Sequence, residues 1–159
     1  MLADTHRKGD DDRPLPDPVT AELARVDLVL HAGDVVSRAV LDRLATAAPV
    51  HAVLGNNDDA TLVGRLPEDL VLDLDGVRVA MVHDSGARQG RPGRLRRRFA
   101  DADLVVFGHS HEPVDDLGVD GQRLFNPGSP TQRRRQAQPS YGILQIADGH
   151  LTGHEIIRF

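Results

Sequence analysis

The stretch Leu104-Val105-Val106-Phe107-Gly108-His109-Ser110-His111 joins an apolar run to two histidines. The run is aliphatic, β-branched and aromatic, which predicts a buried strand over residues 104–107. Gly108 lets the backbone leave that strand without a Cβ clash. His109 and His111 then lie on a strand-end loop, where imidazoles at i and i+2 suit a metal site. Two surface histidines on a polar turn are the alternative.

The composition is that of a folded protein with an ordinary core. The chain has 159 residues, of which 40% are hydrophobic and 27% charged, and we expect a single domain over residues 1–159. A net charge of −5 and only 3% aromatic residues argue against a dedicated nucleic-acid surface. Because cysteine is absent, any metal must be held by His, Asp, Glu, Asn or water. No stretch has membrane-spanning length and the start is not a signal segment, so we expect a cytoplasmic protein without membrane contact.

The pattern of an apolar run followed by residues able to bind metal recurs along the chain. Strands predicted over 28–32, 50–54 and 77–82 are followed by Gly33-Asp34, Gly55-Asn56-Asn57-Asp58 and His83, respectively. Ligands gather at the carboxyl ends of strands in open α/β sheets, which favours one shared site. Asp4 and His6 follow only Met1-Leu2-Ala3, so the first strand is either a stub held by its neighbours or begins upstream. A site held on loose backbone would lose rate steeply.

The order of the remaining elements predicts an α/β fold with two sheets packed face to face and helices outside. Helices are expected over 18–25, capped by Asp17, from Ser37 to just before Pro49, and over 95–99. Asp75-Gly76 predicts a hairpin between strands 69–73 and 77–82. Residues 7–18, with Asp10-Asp11-Asp12, and residues 86–93 are expected to be loops. Further strands are predicted over 114–119, 122–126, 141–147 and 150–157, joined as two hairpins.

Seven side chains form the candidate ligand set: Asp4, His6, Asp34, Asn56, His83, His109 and His111. Oxygen and imidazole donors without sulfur suit Mn²⁺ first, with Fe, Ni²⁺ or Zn²⁺ as alternatives. The set is too large for one ion and fits two divalent metal ions about 3.5–4 Å apart that share a carboxylate. Two such ions keep an excess of positive charge, which suits a hydroxide and an anionic substrate such as a phosphate ester.

The ordered motifs Asp4-x-His6, Gly33-Asp34, Gly55-Asn56-x-Asp58, His83 and Gly108-His109-x-His111 resemble those of the calcineurin-like metallophosphoesterase superfamily, above all its small bacterial and archaeal phosphodiesterase branch. Asn126-Pro127-Gly128-Ser129 resembles the turn that follows the site in that branch. The resemblance implies an αββα sandwich of two mixed β-sheets flanked by helices. It also implies a dimetal-dependent phosphoesterase that hydrolyses phosphodiesters by in-line attack of a metal-bridging hydroxide.

The resemblance assigns the ligands to two ions. Asp4, His6, Asp34 and His111 would hold one ion, and Asp34, Asn56, His83 and His109 the other, so that Asp34 bridges them. Asn57 and Asp58 are the expected catalytic residues, but Asn57 stands where many family members have a histidine that protonates the leaving group, oriented by the following aspartate. A neutral amide cannot act as a general acid. We therefore expect appreciable turnover of esters with acidic leaving groups, such as aryl phosphates, and poor turnover of alkyl esters. The alternative is that Asn57 is only a turn residue and Asp58 only orients a ligand or loop.

Other interpretations remain open at the level of the sequence. The protein could be a non-catalytic scaffold on the same fold, as occurs in a eukaryotic endosomal sorting complex, or a phosphomonoesterase or nucleotidase. The expected partner is a small phosphoester substrate, and the sequence does not decide whether the chain forms a homo-oligomer. The remaining histidines, His31, His51, His150 and His154, are expected to be structural or on the surface. The arginines at 91, 94, 96–98 and 133–135 are expected to form solvated faces rather than to contact phosphate.

Overall fold

Two β-sheets packed face to face form the centre of the molecule. The computed structural model describes residues 1–8 and 13–159. In chain order, its helices and strands are α1 (Asp17–Leu23), β1 (Val29–His31), α2 (Arg38–Ala45), β2 (Val50–Ala52), β3 (Asp69–Leu74), β4 (Val77–Val82), α3 (Arg91–Arg98), β5 (Leu104–Phe107), β6 (Val114–Leu117), β7 (Arg123–Asn126), β8 (Ser140–Ala147) and β9 (His150–Arg158). The aspartate run 10–12 of the expected loop lies outside the described residues.

The first sheet is built around the parallel pair β1 and β2. The start of the chain extends it, since the Leu2 N–H donates to Leu30 O at 2.8 Å and Leu2 O accepts from the Ala32 N–H at 2.9 Å. On the other side, Met1 exchanges two backbone hydrogen bonds with Gly142 of β8. Because β8 pairs antiparallel with β9, the sheet runs β9, β8, chain start, β1, β2 and is mixed.

The second sheet has five strands in the order β3-β4-β5-β7-β6. β4, β5 and β7 are parallel neighbours, and β3 and β6 close the edges as antiparallel partners. The two sheets share one core of buried apolar side chains: Ala3, Leu30, Ala32, Val53, Val77, Val79, Met81, Leu104, Val106 and Phe125. Burial of this surface is the main force that holds the sheets together.

The helices cover the outer faces of both sheets. Val19 of α1 and Leu44 of α2 pack with Val29 of β1 in a second apolar cluster. On the opposite side, Leu95 of α3 packs with Val105 of β5 in a third. The layers are therefore helix, sheet, sheet, helix, and the expected αββα sandwich is confirmed. Among the described residues, no helix is long and apolar enough to cross a membrane.

Helix α2 and the β3–β4 hairpin form as predicted, each through a local sequence feature. The Ser37 side chain caps α2 by accepting a hydrogen bond from the Ala39 N–H at 3.2 Å. The turn between β3 and β4 places Asp75 at φ 50° and Gly76 at φ 83°, as a two-residue hairpin turn with two left-handed positions requires. Two further hairpins, β6–β7 and β8–β9, also form as predicted.

The predicted starts of two helices are wrong. Pro16 is the N-cap of α1 and Asp17 is its first helical residue, so Asp17 does not cap it; a proline in the first turn already has a helical φ. α3 begins at Arg91, inside the predicted loop 86–93, because Gly90 turns the chain at φ 72° and a proline follows within the first turn. An arginine-rich first turn lacks the apolar periodicity that would have predicted this start.

One strand is shorter than predicted. The strand expected over 114–119 ends at Leu117, and a short 3-10 turn, Val119–Gly121, follows it.

The chain start is held by its neighbours, as one of the two alternatives predicted. The N–H groups of Asp4 and His6 each donate at 3.0 Å to the loop after β1, at Gly33 O and Asp34 O.

Candidate metal centre

The seven candidate ligands come together at one end of the sandwich, where strands of both sheets end. Asp34 follows β1, Asn56 follows β2, His83 follows β4, and His109 and His111 follow β5. Since the strands within each set are parallel, their carboxyl ends lie at the same edge. The extended chain start brings Asp4 and His6 to the same place.

Four of these side chains form a first cluster. Asp4 Oδ1 lies 3.4 Å from His111 Nε2 and 3.9 Å from His6 Nε2. The Nε2 atoms of His6 and His111 are 3.1 Å apart. His6 Nε2 is also 3.4 Å from Asp34 Oδ2. These four are the residues expected to share one ion.

The second cluster joins the remaining ligands to Asp34. His83 Nε2 lies 3.4 Å from Asp34 Oδ1 and 3.0 Å from Asn56 Oδ1. His109 Nδ1 lies 2.9 Å from Asn56 Oδ1 and 3.3 Å from His83 Nε2. Asp34 thus faces the first cluster with Oδ2 and the second with Oδ1, as a bridging carboxylate does.

Hydrogen bonds on the far side of two rings decide which nitrogen faces the centre. His83 Nδ1 donates to Ala32 O at 2.8 Å, and His111 Nδ1 donates to Gln132 O. A neutral imidazole has only one N–H, so each Nε2 presents a lone pair to the cluster. Burial lowers the pKa of His111 to about 4, which keeps this ring neutral near pH 7.

Asp4 supplies a test of whether the residues fit a cation. It is completely buried, and its Oδ2 has no hydrogen-bond partner among the described residues. Burial raises the pKa of Asp4 to about 7, because a charged carboxylate loses its hydration inside a protein. A divalent cation among these lone pairs would remove that cost. The donor set therefore fits a metal centre.

Asp34 and His83 lie next to each other, and their pKa values are shifted in opposite directions. Burial opposes ionisation of Asp34, but hydrogen bonds from His83 and Asn57 outweigh it and hold the pKa of Asp34 below its usual range. Burial also opposes the charged form of His83, but its contacts with Asp34 and the Ala32 carbonyl outweigh this and raise the pKa of His83. Because a metal-binding imidazole must be deprotonated at the nitrogen that binds, a metal ion at His83 would compete with protons.

The glycine of each motif makes room for a neighbouring ligand. A Cβ at Gly33 would lie 2.6 Å from His83 Nδ1, and one at Gly55 would overlap Asp34 N. A Cβ at Gly108 would lie 2.8 Å from Ala32 O. These glycines therefore permit close approach of loops from different strands.

Backbone strain is concentrated at this site. Five ligand residues have a left-handed backbone: Asp4 (φ 53°), His6 (φ 44°), Asp34 (φ 54°), His109 (φ 67°) and His111 (φ 57°). Val36, two residues after Asp34, has φ 82°, which is unfavourable for a β-branched residue. Each such residue costs on the order of 1–3 kcal/mol, and such strain is typical of sites whose geometry serves function.

Asn57 and Asp58, the expected catalytic residues, both hold backbone or ligand groups in place. The backbone N–H of Asn57 donates to Asp34 Oδ1 at 2.8 Å, and its side-chain amide donates to Asp34 Oδ2 at 2.7 Å. The Asp58 carboxylate accepts from the Val36 N–H at 2.6 Å and from the Gly55 N–H at 2.7 Å. Asp58 thus links the loops after β1 and β2, while Asn57 orients the carboxylate shared by the two clusters.

The end of β7 and the segment that follows it support the site in ways that the sequence did not reveal. The Asn126 amide donates to Gly108 O at 2.9 Å, and Ser129 Oγ donates to Asp4 O at 2.8 Å. Thr131 Oγ1 donates to the carbonyl of Thr5 at 2.6 Å. The Asn-Pro-Gly-Ser turn was the only local signal for this support.

The other histidines lie outside both clusters. His31 is completely buried, and its Nε2 lies 3.1 Å from Thr5 Oγ1. His51 and His150 are exposed, and His154 Nδ1 pairs with Asp115 Oδ2 at 2.7 Å.

The sequence matches the family model described as the calcineurin-like phosphoesterase superfamily domain over residues 1–149. It is also 35% identical over 161 residues to a probable metallophosphoesterase of Methanothermobacter thermautotrophicus, a match that covers 99% of this chain and 90% of that protein. The chain belongs to the calcineurin-like phosphoesterase superfamily. The family named from the sequence motifs is therefore confirmed.

Solved structures of similar fold cover nearly the whole chain. The solution structure of protein TM1076 from Thermotoga maritima has a TM-score of 0.75 at 30% identity and covers 99% of this chain and 96% of that one. Vps29 of Entamoeba histolytica, solved in complex with zinc, has a TM-score of 0.76 at 23% identity, with 99% and 96% covered. This calcineurin-like phosphoesterase thus belongs to a metal-dependent family. Two groups of its side chains lie close enough together to hold a metal ion: Asp4, His6 and His111, and Asp4, Asp34 and His83.

Proposed function

We propose that this protein is a dimetal-dependent phosphodiesterase acting on a small phosphoester substrate. One observation carries the proposal: the two oxygens of Asp34 face two separate ligand clusters, at 3.4 Å from His6 Nε2 on one side and 3.4 Å from His83 Nε2 on the other. A carboxylate placed between two nitrogen-rich clusters is the arrangement that two metal ions about 4 Å apart require.

Each metal ion would be held by its own set of residues, with one residue shared. Asp4, His6 and His111 would hold one ion, Asn56, His83 and His109 the other, and Asp34 both. Oxygen and imidazole donors favour Mn²⁺, with Fe, Ni²⁺ and Zn²⁺ as alternatives. Such ions, when bound, lower the pKa of water to supply a nucleophile at neutral pH and neutralise charge on phosphoryl oxygens.

The protein's own groups fix this centre and leave one side open. Asp4, Asp34, His83 and His111 are buried, whereas Asn56 and Asn57 are exposed. A substrate therefore approaches from the asparagine side. The amide of Asn57 orients Asp34 but has no proton to give to a leaving group, so esters with acidic leaving groups should react best.

The preference for diesters rests on the resemblance of the motifs to the small phosphodiesterase branch. The test is hydrolysis of bis(p-nitrophenyl) phosphate and of p-nitrophenyl phosphate by the Mn²⁺-loaded protein. We expect a higher kcat/KM on the diester. A higher kcat/KM on the monoester would show a phosphomonoesterase instead.

The matched variants are Asp34→Asn and Asp42→Asn. Asp42 lies exposed on α2, where it pairs with Arg38 at 3.4 Å. We expect Asp34→Asn to lower kcat/KM by at least about 10³-fold and to reduce bound metal, since a lost bridging charge weakens both ions. Asp42→Asn should match the wild type. A folded, metal-loaded wild type that hydrolyses neither ester nor other phosphoesters would indicate a scaffold and contradict the proposal.

A further inference from the structure

Arg134 is a cation placed at the edge of the two clusters. Its Nη1 donates to the backbone carbonyl of His109 at 3.1 Å, and its side chain is exposed. Among the described residues, this is the only hydrogen bond of its guanidinium, which has five N–H donors. Most of its donors therefore face solvent beside a ligand of the second cluster.

The backbone that carries Arg134 is fixed to the ligands. Two and three residues before it, Gln132 O accepts from the His111 ring and Thr131 Oγ1 donates to Thr5 O at 2.6 Å. Ser129 Oγ anchors the same segment to Asp4 O at 2.8 Å. The segment that precedes Arg134 is thus tied to the chain start and to the His111 ring, and the guanidinium itself contacts His109 O.

The other arginines considered from the sequence are placed differently. On α3, Arg96 pairs with Asp120 at 3.1 Å and Arg98 with Asp69 at 2.8 Å. Arg94 donates to the carbonyls of Ser85 and Ala87. Arg96 and Arg98 thus pair on the surface, and Arg94 holds the loop before α3. Arg134 is exposed like a surface arginine, but it lies beside a candidate ligand.

The charge and shape of the Arg134 side chain suit a phosphoryl group. A guanidinium presents paired N–H groups that match two oxygens of a phosphoryl group. A fixed cation beside two metal ions would stabilise the charge that a phosphoryl group gains on attack.

We propose that Arg134 binds a non-bridging oxygen of the substrate's phosphoryl group while the group lies over the two ligand clusters. This inference rests on the proposed function. It adds a substrate-binding residue that lies outside the metal-ligand motifs. Because a guanidinium is cationic, Arg134 would bind the anionic substrate and not a metal ion.

The experiment compares Arg134→Gln, Arg134→Lys and the neighbour variant Arg133→Gln. Arg133 donates to Gln136 O at 2.7 Å, within its own turn, and serves as the control. The probe is inorganic phosphate, whose binding to the Mn²⁺-loaded protein is measured by isothermal titration calorimetry, with metal content from elemental analysis. Metal content shows whether the loop of His109 keeps its support in Arg134→Gln.

We expect Arg134→Gln to weaken phosphate binding about 10–100-fold, the size of a lost charged hydrogen bond, with metal content unchanged. Arg134→Lys should lie between this variant and the wild type, and Arg133→Gln should match the wild type. On bis(p-nitrophenyl) phosphate, KM should rise in Arg134→Gln.

Phosphate binding that is unchanged in Arg134→Gln would overturn the inference. So would a parallel loss of phosphate and metal, because Arg134 would then act only by supporting His109. Since phosphate binding is measured without turnover, a wild type that binds phosphate through Arg134 but hydrolyses no ester would refute the proposed function and leave this contact standing.

Discussion

At the scale of single residues, Asp34 and its partner Asn57 have the largest influence on the site. Asn57 donates from its backbone to Asp34 Oδ1 at 2.8 Å and from its side chain to Oδ2 at 2.7 Å, so the carboxylate is held at both oxygens. A partner that orients a metal-binding carboxylate commonly changes metal affinity or activity about 10–100-fold when it is removed. Position 57 therefore affects both the geometry of the site and the supply of protons.

Asn57→His separates these two roles. The imidazole can protonate a leaving group, so we expect the ratio of rates on alkyl to aryl phosphodiesters to rise. Loss of the amide bond to Asp34 should weaken metal binding at the same time, and rates are therefore compared at saturating Mn²⁺. Asn57→Ala, which loses the amide and gains no acid, is the control. An alkyl-to-aryl ratio that is the same in wild type and Asn57→His would exclude the leaving-group explanation.

His31 lies outside the clusters and makes stability depend on pH. Burial lowers its pKa to about 3, from an ordinary value near 6.5. The unfolded chain therefore takes up a proton first as the pH falls. The contribution of neutral His31 to the free energy of unfolding is complete above about pH 6.5 and is lost progressively toward pH 3.

Urea unfolding of the metal-free protein between pH 7 and pH 4 tests this. His31→Gln should flatten the loss of unfolding free energy with falling pH, whereas His51→Gln, at an exposed position on β2, should not. Curves for wild type and His31→Gln that run parallel over this range would contradict the assignment.

At the scale of elements, glycines have opposite roles according to their place. Gly55 and Gly33 permit contacts between ligand loops, whereas Gly93 lies within α3, where a Cβ would meet Arg97 Nη1 at an ordinary 3.5 Å. Glycine inside a helix costs about 0.5–1 kcal/mol relative to alanine. Gly93→Ala should therefore raise the free energy of unfolding by about that amount, as measured in urea, without changing activity. A decrease in the free energy of unfolding would mean that α3 depends on the absence of a side chain at position 93.

How much could be predicted from the sequence also depends on the element. Asp75-Gly76 specifies its hairpin through local backbone preferences. The candidate ligands Asp34, Asn56, His83 and His109 could be singled out because they follow apolar runs. The supporting bond from Ser129 to Asp4 joins residues 125 apart in the chain and leaves no periodic or local signal. The same holds for Arg134 and His109, which are 25 residues apart.

At the scale of the whole molecule, the site joins both sheets and the chain start, so metal binding should stabilise the entire fold. A ligand that binds only the folded state at 100 times its Kd adds about 2.7 kcal/mol, which corresponds to roughly 5–10 °C in Tm for a protein of this size. We expect MnCl₂ to raise the Tm of wild type and of Asp42→Asn, and to have little effect on Asp34→Asn. Equal shifts in all three proteins would mean that Mn²⁺ binds elsewhere.

The most direct test of the central claim is anomalous diffraction from crystals soaked in Mn²⁺. Two peaks about 3.5–4 Å apart are predicted, with Asp34 between them, one beside His6 and His111 and the other beside His83 and His109. A single peak, or none between these side chains, would contradict the account.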